Sequence, residues 1–337
     1  MTEGVYLEVN MRRFFADDSF WNQPLAIDAE IDPRNDHYLN LLARKPGGPL
    51  HINLHNYTIP VYEVNADTPR RTIHQRIVDA NRKNYLNNRW GKTLDDPMWF
   101  HNGPGFGNNV PIPIGATPDA ASDAHMAMID WDSMTAWDTW ACKIRPDGEY
   151  ESYTGMVYSL AGSGVWTTAD FPNVKNDDSI HFHGPSRASG VPAIAGLIMY
   201  DEIQAGHIDH KLAFATWHNA YKKFTPPAAW TDGFRKDGLP EGAIMRLDPQ
   251  LNLNKFNLSP AARIVCTAMQ QYGAVNTDNA GGNTLYGEGL WNHPTKSWHG
   301  LLEEGDLYKI PLEHYQIMKI GAITELGDCW LVAYEEE

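Results

Sequence analysis

The sequence predicts a mainly β protein, a two-sheet sandwich or jelly roll with two or three peripheral helices. Three observations predict it. Short apolar runs with strand character recur along the whole chain. Pro and Gly turns separate them at even intervals. Only two segments carry both the spacing and the end signals of a well-formed helix. No internal repeat or low-complexity linker appears, so residues 1–337 read as one β-rich domain with an N-terminal arm over about residues 1–20.

Asp32 and Pro33 precede the first expected helix, RNDHYLNLLARK, and Pro46-Gly47-Gly48 ends it. Asp suits an N-cap, Pro the first helical turn, and Pro-Gly-Gly a stop. Ser259 and Pro260 open the second, which runs through Tyr272 to Gly273 with Ile264, Val265, Ala268, Met269 and Tyr272 on one stripe. A short helical turn is expected over Tyr200–Ala205. Strands are expected over residues 50–54, 59–64, 125–131, 135–144, 150–160, 208–217, 243–247, 274–277, 284–286 and 314–320. Residues 125–131 and 135–144 form a hairpin across Asp132-Ser133. Segments 87–115 and 225–241 carry few strand signals and are expected to wall a cleft.

The chain is 42% hydrophobic and only 20% charged, with 12 Trp and 15 Tyr. That many aromatic rings leave some at the surface, where flat faces stack on flat ligands such as sugars. The net charge of −15 speaks against nucleic acid as a partner, because such binding rests on neutralising phosphates with cations. No apolar run reaches the length of a membrane span. Residues 70–92 run against the overall charge, with Arg70, Arg71, Arg76, Arg82, Lys83, Arg89 and Lys92 facing only Asp79. The segment reads as paired with acidic neighbours, with another copy in a homo-oligomer, or with an anionic glycan. Cys142, Cys266 and Cys329 are odd in number and form no CxxC pattern, which argues against a disulfide framework or zinc ribbon. The N-terminus lacks the basic-then-apolar pattern of a signal peptide.

DDSFWNQPL at 17–25, VPIPIGA at 110–116 and DAHMAMID at 123–130 are followed by RASGVPAIAGLIMYDEIQAGHIDHKLAF at 187–214. LPEGAIMRLD at 239–248 and SPAARIVCTAMQQYGAVNTDNAGG at 259–282 complete the set. Together these segments resemble an uncharacterised family of β-rich, mostly secreted bacterial and fungal proteins with no assigned activity. The resemblance spans most of the chain. It implies a β architecture in one domain and an extracellular setting, and it carries no chemistry.

The chemistry is sought among residues 179–215, where His181, His183, Arg187, His207 and His210 sit among turns and β-forming runs. His181 and His183, two apart on a strand, would face alike and offer two ligands to a divalent metal, with His210, His218 or Asp178 as a third. No cofactor is otherwise required. Arg187 is expected either to grip a carboxylate or to tie its turn to backbone carbonyls. Asp123–His125 and Asp209–His210 each offer an oriented base, and Tyr153, Tyr158 or Tyr221 an acid. Arg187, His125, His210 and Tyr158 are thus the candidate catalytic group, with Trp166, Trp217, His218 and Tyr221 as substrate-binding residues. TDNAGGN at 277–283 reads as a hairpin turn, or as oxygen donors for calcium.

These residues predict a carbohydrate-active enzyme acting on a polysaccharide, with β-elimination on a uronate-containing glycan ahead of hydrolysis. Hydrolysis needs two carboxylates across a cleft, for which Asp130, Asp132, Asp138, Asp201, Glu202 and Asp278 are the candidates. The alternative is a non-catalytic glycan-binding or structural sandwich on a virion or cell surface.

Overall fold

The computed structural model describes residues 12–75, 107, 109–166 and 187–327. The protein is mainly β, with two principal sheets and three α-helices among the described residues. Ten strands form the principal sheets. They are β1 (His51–Asn53), β2 (Val61–Glu63), β3 (Met126–Asp130), β4 (Thr135–Trp140), β5 (Thr154–Ser159), β6 (Leu212–Ala215), β7 (Ile244–Leu247), β8 (Ala274–Asp278), β9 (Thr284–Tyr286) and β10 (Tyr315–Ile317). The larger sheet has the order β1-β9-β6-β8-β7-β10 and the smaller β5-β4-β3-β2.

Alternation along these strands builds the layers, because successive side chains leave opposite faces of a sheet. In the larger sheet Leu212, Phe214, Met245, Leu247, Ala274 and Leu285 face one core. Ala213, Ala215, Val275 and Tyr286 face another. The first core is covered by helices α1 (Asn35–Ala43) and α3 (Pro260–Gln271), through Tyr38, Leu42, Ala262, Val265 and Met269. The second is shared with the smaller sheet, which contributes Ala127, Ile129, Ala136, Met156 and Tyr158. Val191, Ala193, Ile194, Ala195 and Leu197 fill the space between the two sheets. Met126, Met128 and Trp137 on the outer face of the smaller sheet pack a third core with Ile73, Val110, Ile112 and Tyr150.

The described part of the N-terminal arm is tied down. Trp21 is 1% exposed and its indole N–H donates to the Gly164 carbonyl at 2.9 Å. Asn22 donates to the carbonyls of Phe14 and Ala16, and the Lys211 ammonium to those of Phe20 and Gln23.

The expected helices form. Ser259 caps α3, its hydroxyl accepting the Ala262 N–H at 3.1 Å. Asp32 instead caps the turn before α1, accepting the Arg34 N–H at 2.8 Å, so that helix starts at Asn35. Helix α2 spans Tyr200–Ala205. The 125–131/135–144 hairpin is present as β3 and β4, but β4 stops at Trp140, where Ala141 takes φ 53° and turns the chain. The 277–283 segment is no hairpin turn. β6 lies between β8 and β9, so the segment steps over the end of β6, held by Ala280 N–H on the Thr216 carbonyl. Strand Asn219–Phe224 escaped the sequence reading.

Cys142 and Cys266 are buried, and Cys329 lies outside the described residues. Arg70–Arg71 pairs with Val110–Pro111, while the other basic residues of 70–92 lie outside the described residues, as do residues 87–106. Among the described residues no helix is long and apolar enough to cross a membrane.

Phe214 is fully buried at the centre of the larger sheet, against the helices. Phe214→Ala is expected to lower the unfolding free energy by about 3–5 kcal/mol in urea titration. The same truncation at half-exposed Ile144 should change it by less than about 0.5 kcal/mol.

Candidate active site

A polar group crosses the sandwich interior where apolar side chains would be expected. Arg187 is 0% exposed, and its guanidinium lies 4.0 Å from the centroid of the Tyr286 ring on β9. One terminal nitrogen donates to the Ala193 carbonyl at 2.8 Å, while Nε and Nη1 find no acceptor. On the facing sheet Asp138 of β4 is also fully buried. Its Oδ2 accepts the Ala193 N–H at 2.8 Å and the Tyr158 hydroxyl at 3.1 Å. Arg187 and Asp138 thus hold opposite ends of Ala193 and lock the connecting segment between the sheets. Burial and then the Asp138 carboxylate drive the Tyr158 hydroxyl well above its usual range, so it stays protonated.

His125 precedes β3 and faces the same interior. Its Nδ1–H donates to the Thr139 carbonyl at 3.1 Å. Burial, aided by the Arg187 charge, lowers its pKa to about 3. The imidazole is neutral at every ordinary pH.

Carboxyl groups gather where the larger sheet ends at Asp278. Asp278 ends β8, Asp232 lies in the loop after strand Asn219–Phe224, and Glu241 ends strand Leu239–Glu241. One oxygen from each lies within 4.8 Å of the others. At that spacing two full charges repel by roughly 3 kcal/mol at an effective dielectric of about 20. Asp232 and Asp278 are half-buried, whereas Glu241 is 0% exposed. Burial raises all three carboxyls. Asp232 reaches about 6, while Asp278 and Glu241 rise well above the ordinary range, each pushed further by the Asp232 charge. Arg187 opposes the rise at Asp278.

Asp123 approaches from the smaller sheet. Burial raises its pKa, the Trp140 indole N–H and Arg187 pull it back, and its charge is felt by Asp232, Asp278 and Tyr286.

Three asparagines fix the arrangement. Asn279 donates its backbone N–H to Asp278 Oδ1 at 3.0 Å and its side-chain amide to Asp232 Oδ1 at 2.5 Å. Asn219 holds the Asn279 side-chain oxygen at 3.0 Å and is itself held by Asn276 at 2.7 Å. Two glycines allow the close approach. A Cβ on Gly233 would sit 2.2 Å from the Ala220 carbonyl oxygen, and one on Gly242 (φ +88°) 1.7 Å from that of Thr225. No other residue fits beside Asp232 or Glu241 without moving the backbone.

Half-buried aromatic pairs flank both sides. Trp217 meets Phe234 edge-on at 4.8 Å, next in sequence to Thr216, whose N–H donates to the Asp278 carbonyl. Trp140, the hydrogen-bond partner of Asp123, packs on Tyr153 at 5.6 Å.

The structure brings together Arg187, His125 and Tyr158 of the expected catalytic group, and seals all three at 0%, 2% and 6% exposure. Neither expected Asp–His couple forms. Ala124, at φ 40°, turns Asp123 away from His125, and Asp123 takes Trp140 instead. His210 stands five residues before the Ala215–Asp278 pairing, about 16 Å along the strand at ~3.3 Å per residue. There it pairs with Glu202 at 3.0 Å, whose carboxylate outweighs the burial that opposes the imidazolium charge. Asp209 pairs with His207.

Of the expected binding residues, Trp217 lies beside the carboxyls. Trp166 packs edge-on against Tyr158 at 5.3 Å. His218 is buried with Nε2 on the Arg44 carbonyl. Tyr221 packs with Phe224, Ala228 and Trp230 in a separate small core. His181 and His183 lie outside the described residues. The sequence reading missed Asp232, Glu241 and the asparagine clamp. Their signal was the pair of Asp-Gly and Asp-Asn turns at 232–233 and 278–279.

No family model matches the chain, and no curated protein or solved structure is similar to it.

The lowered basicity of His125 is directly measurable. Imidazole NMR should show His125 neutral and unchanged from about pH 8 to about pH 4.5; a ring that charges between about pH 5 and 7 would contradict the burial described. The unfolded chain binds this proton first, so His125 costs the fold stability as pH falls below 6.5 toward about 3.

Proposed function

We propose that the protein is a carbohydrate-active enzyme that hydrolyses glycosidic bonds in a polysaccharide, with carboxyl groups as its acid–base pair. The observation that carries this reading is that Asp123, just before the smaller sheet, and Asp232 with Asp278, at the end of the larger one, are partly exposed and within range of each other's charge. Glycoside hydrolysis needs one carboxyl that still holds its proton and one that has lost it, set across the scissile bond.

The environments separate the two roles. Asp232, raised to about 6, holds a proton in weakly acidic solution and donates it to the leaving oxygen. Burial raises Asp123 too, but the Trp140 indole and Arg187 hold that rise back, and Asp123 serves as base or nucleophile. The aromatic pairs Trp217–Phe234 and Trp140–Tyr153 supply faces for sugar rings on both sides of the bond. Arg187, His125 and Tyr158 stand behind the site as its scaffold. Elimination would need them in contact with the substrate, and their burial favours hydrolysis over it.

Incubation with a panel of polysaccharides is expected to release new reducing ends, with activity falling as pH rises past about 6 because Asp232 loses its proton. Asp232→Asn and Asp123→Asn should each lower the rate by about 10²–10⁴-fold while the protein stays folded. Formation of an unsaturated, ultraviolet-absorbing product would mean elimination instead, and no cleavage of any glycan would refute the reading.

A further inference from the structure

We infer that Glu241 is a positioning residue that stays a neutral carboxylic acid at pH 7 and presents its proton to the Asp232–Asp278 pair. The inference rests on the acid role proposed for Asp232.

Glu241 is 0% exposed, so water cannot solvate a charge there. It takes part in no ion pair among the described residues. Its Oε2 accepts the Asp232 N–H at 3.2 Å, and the nearby Thr231 hydroxyl partly offsets the burial. Its Oε1 has no hydrogen-bond partner among the described residues. A buried carboxylate oxygen with no donor is costly, whereas a protonated one is itself a donor and needs only an acceptor.

Acceptors are at hand. Among the described residues, the acidic groups that act on Glu241 are Asp232 and Asp278 of β8, both within 4.8 Å. Arg187 acts on Asp278. The like charge of Asp232 and full burial both oppose a charge on Glu241, and the strong upward displacement of its carboxyl agrees with this. A neutral acid beneath two aspartates lets Asp232 exchange its proton while the group beneath it stays uncharged. A buried carboxylic acid acting as a donor at neutral pH is an established device for this task.

Infrared spectroscopy of the whole protein tests the inference by protonation state, so it stands apart from whether any glycan is cleaved. At about pH 7.5, above the Asp232 transition near 6, the wild-type protein should show protonated-carboxyl carbonyl absorption, part of it from the raised Asp278 and Glu288, and Glu241→Gln should lower it by the share of one carboxyl. Asp278→Asn, which takes away one neighbouring acid, should keep the Glu241 share but let it ionise at lower pH, and it serves as the second variant should Glu241→Gln not fold. Absence of the absorption at about pH 7.5, or its undiminished intensity in Glu241→Gln, would overturn the inference. So would loss of the Glu241 share on adding calcium, which would make the three carboxyls a cation site instead.

Discussion

The site depends on a charge placed where a sandwich normally keeps only hydrocarbon. Arg187 is buried between the sheets, with its ring partner on one sheet and its carbonyl partner on the segment between them. Two of its donor nitrogens are unanswered. Burying a cation in this way costs several kcal/mol unless other charges offset it. The acidic groups within its field, Asp123 and Asp278, supply that offset. Burial, aided by the same field, holds His125 neutral, and Asp138 completes the interior by holding the other end of Ala193. The carboxyls at the surface and the guanidinium beneath them are one electrostatic unit.

Backbone geometry turns that unit into a site. The parallel pairing of β6 with β8 sets Ala215 beside Asp278, and the parallel pairing of Asn219–Phe224 with Leu239–Glu241 sets Phe224 beside Glu241. Gly233 and Gly242 let the Asp232 and Glu241 turns press against neighbouring carbonyls at distances no side chain tolerates. Asn279 then bridges two aspartates that would otherwise repel. Such strain and repulsion are expected where a fold serves chemistry as well as stability.

Much of the scaffold was legible because it follows from local rules. The Ser259-Pro260 start of α3 and the two-residue alternation of MAMID and TAWDTW each show in a few residues. The site was legible at Asp123, Asp278, Arg187 and Trp217. Asp232 and Glu241 sit in TDG and PEG, which read as ordinary turns, and only long-range pairing brings them to Asp278. The Asp123–His125 couple looked reasonable by spacing, yet one left-handed residue, Ala124, sends the two side chains to different partners. His210 lay in the same histidine-rich stretch as Arg187 but at the opposite end of its strand. Sequence proximity is a poor guide to convergence in a β protein, where a five-residue strand spans about 16 Å.

The central claim is that the buried Arg187 charge governs the carboxyls above it. The most direct measurement is carboxyl-carbon NMR titration of aspartates in the wild-type protein and in Arg187→Met, a change of similar size that leaves no buried donor unanswered. Removing the guanidinium should move the Asp123 and Asp278 transitions to higher pH. If Asp123 and Asp278 titrate identically in both proteins, the charge beneath them does not govern the site.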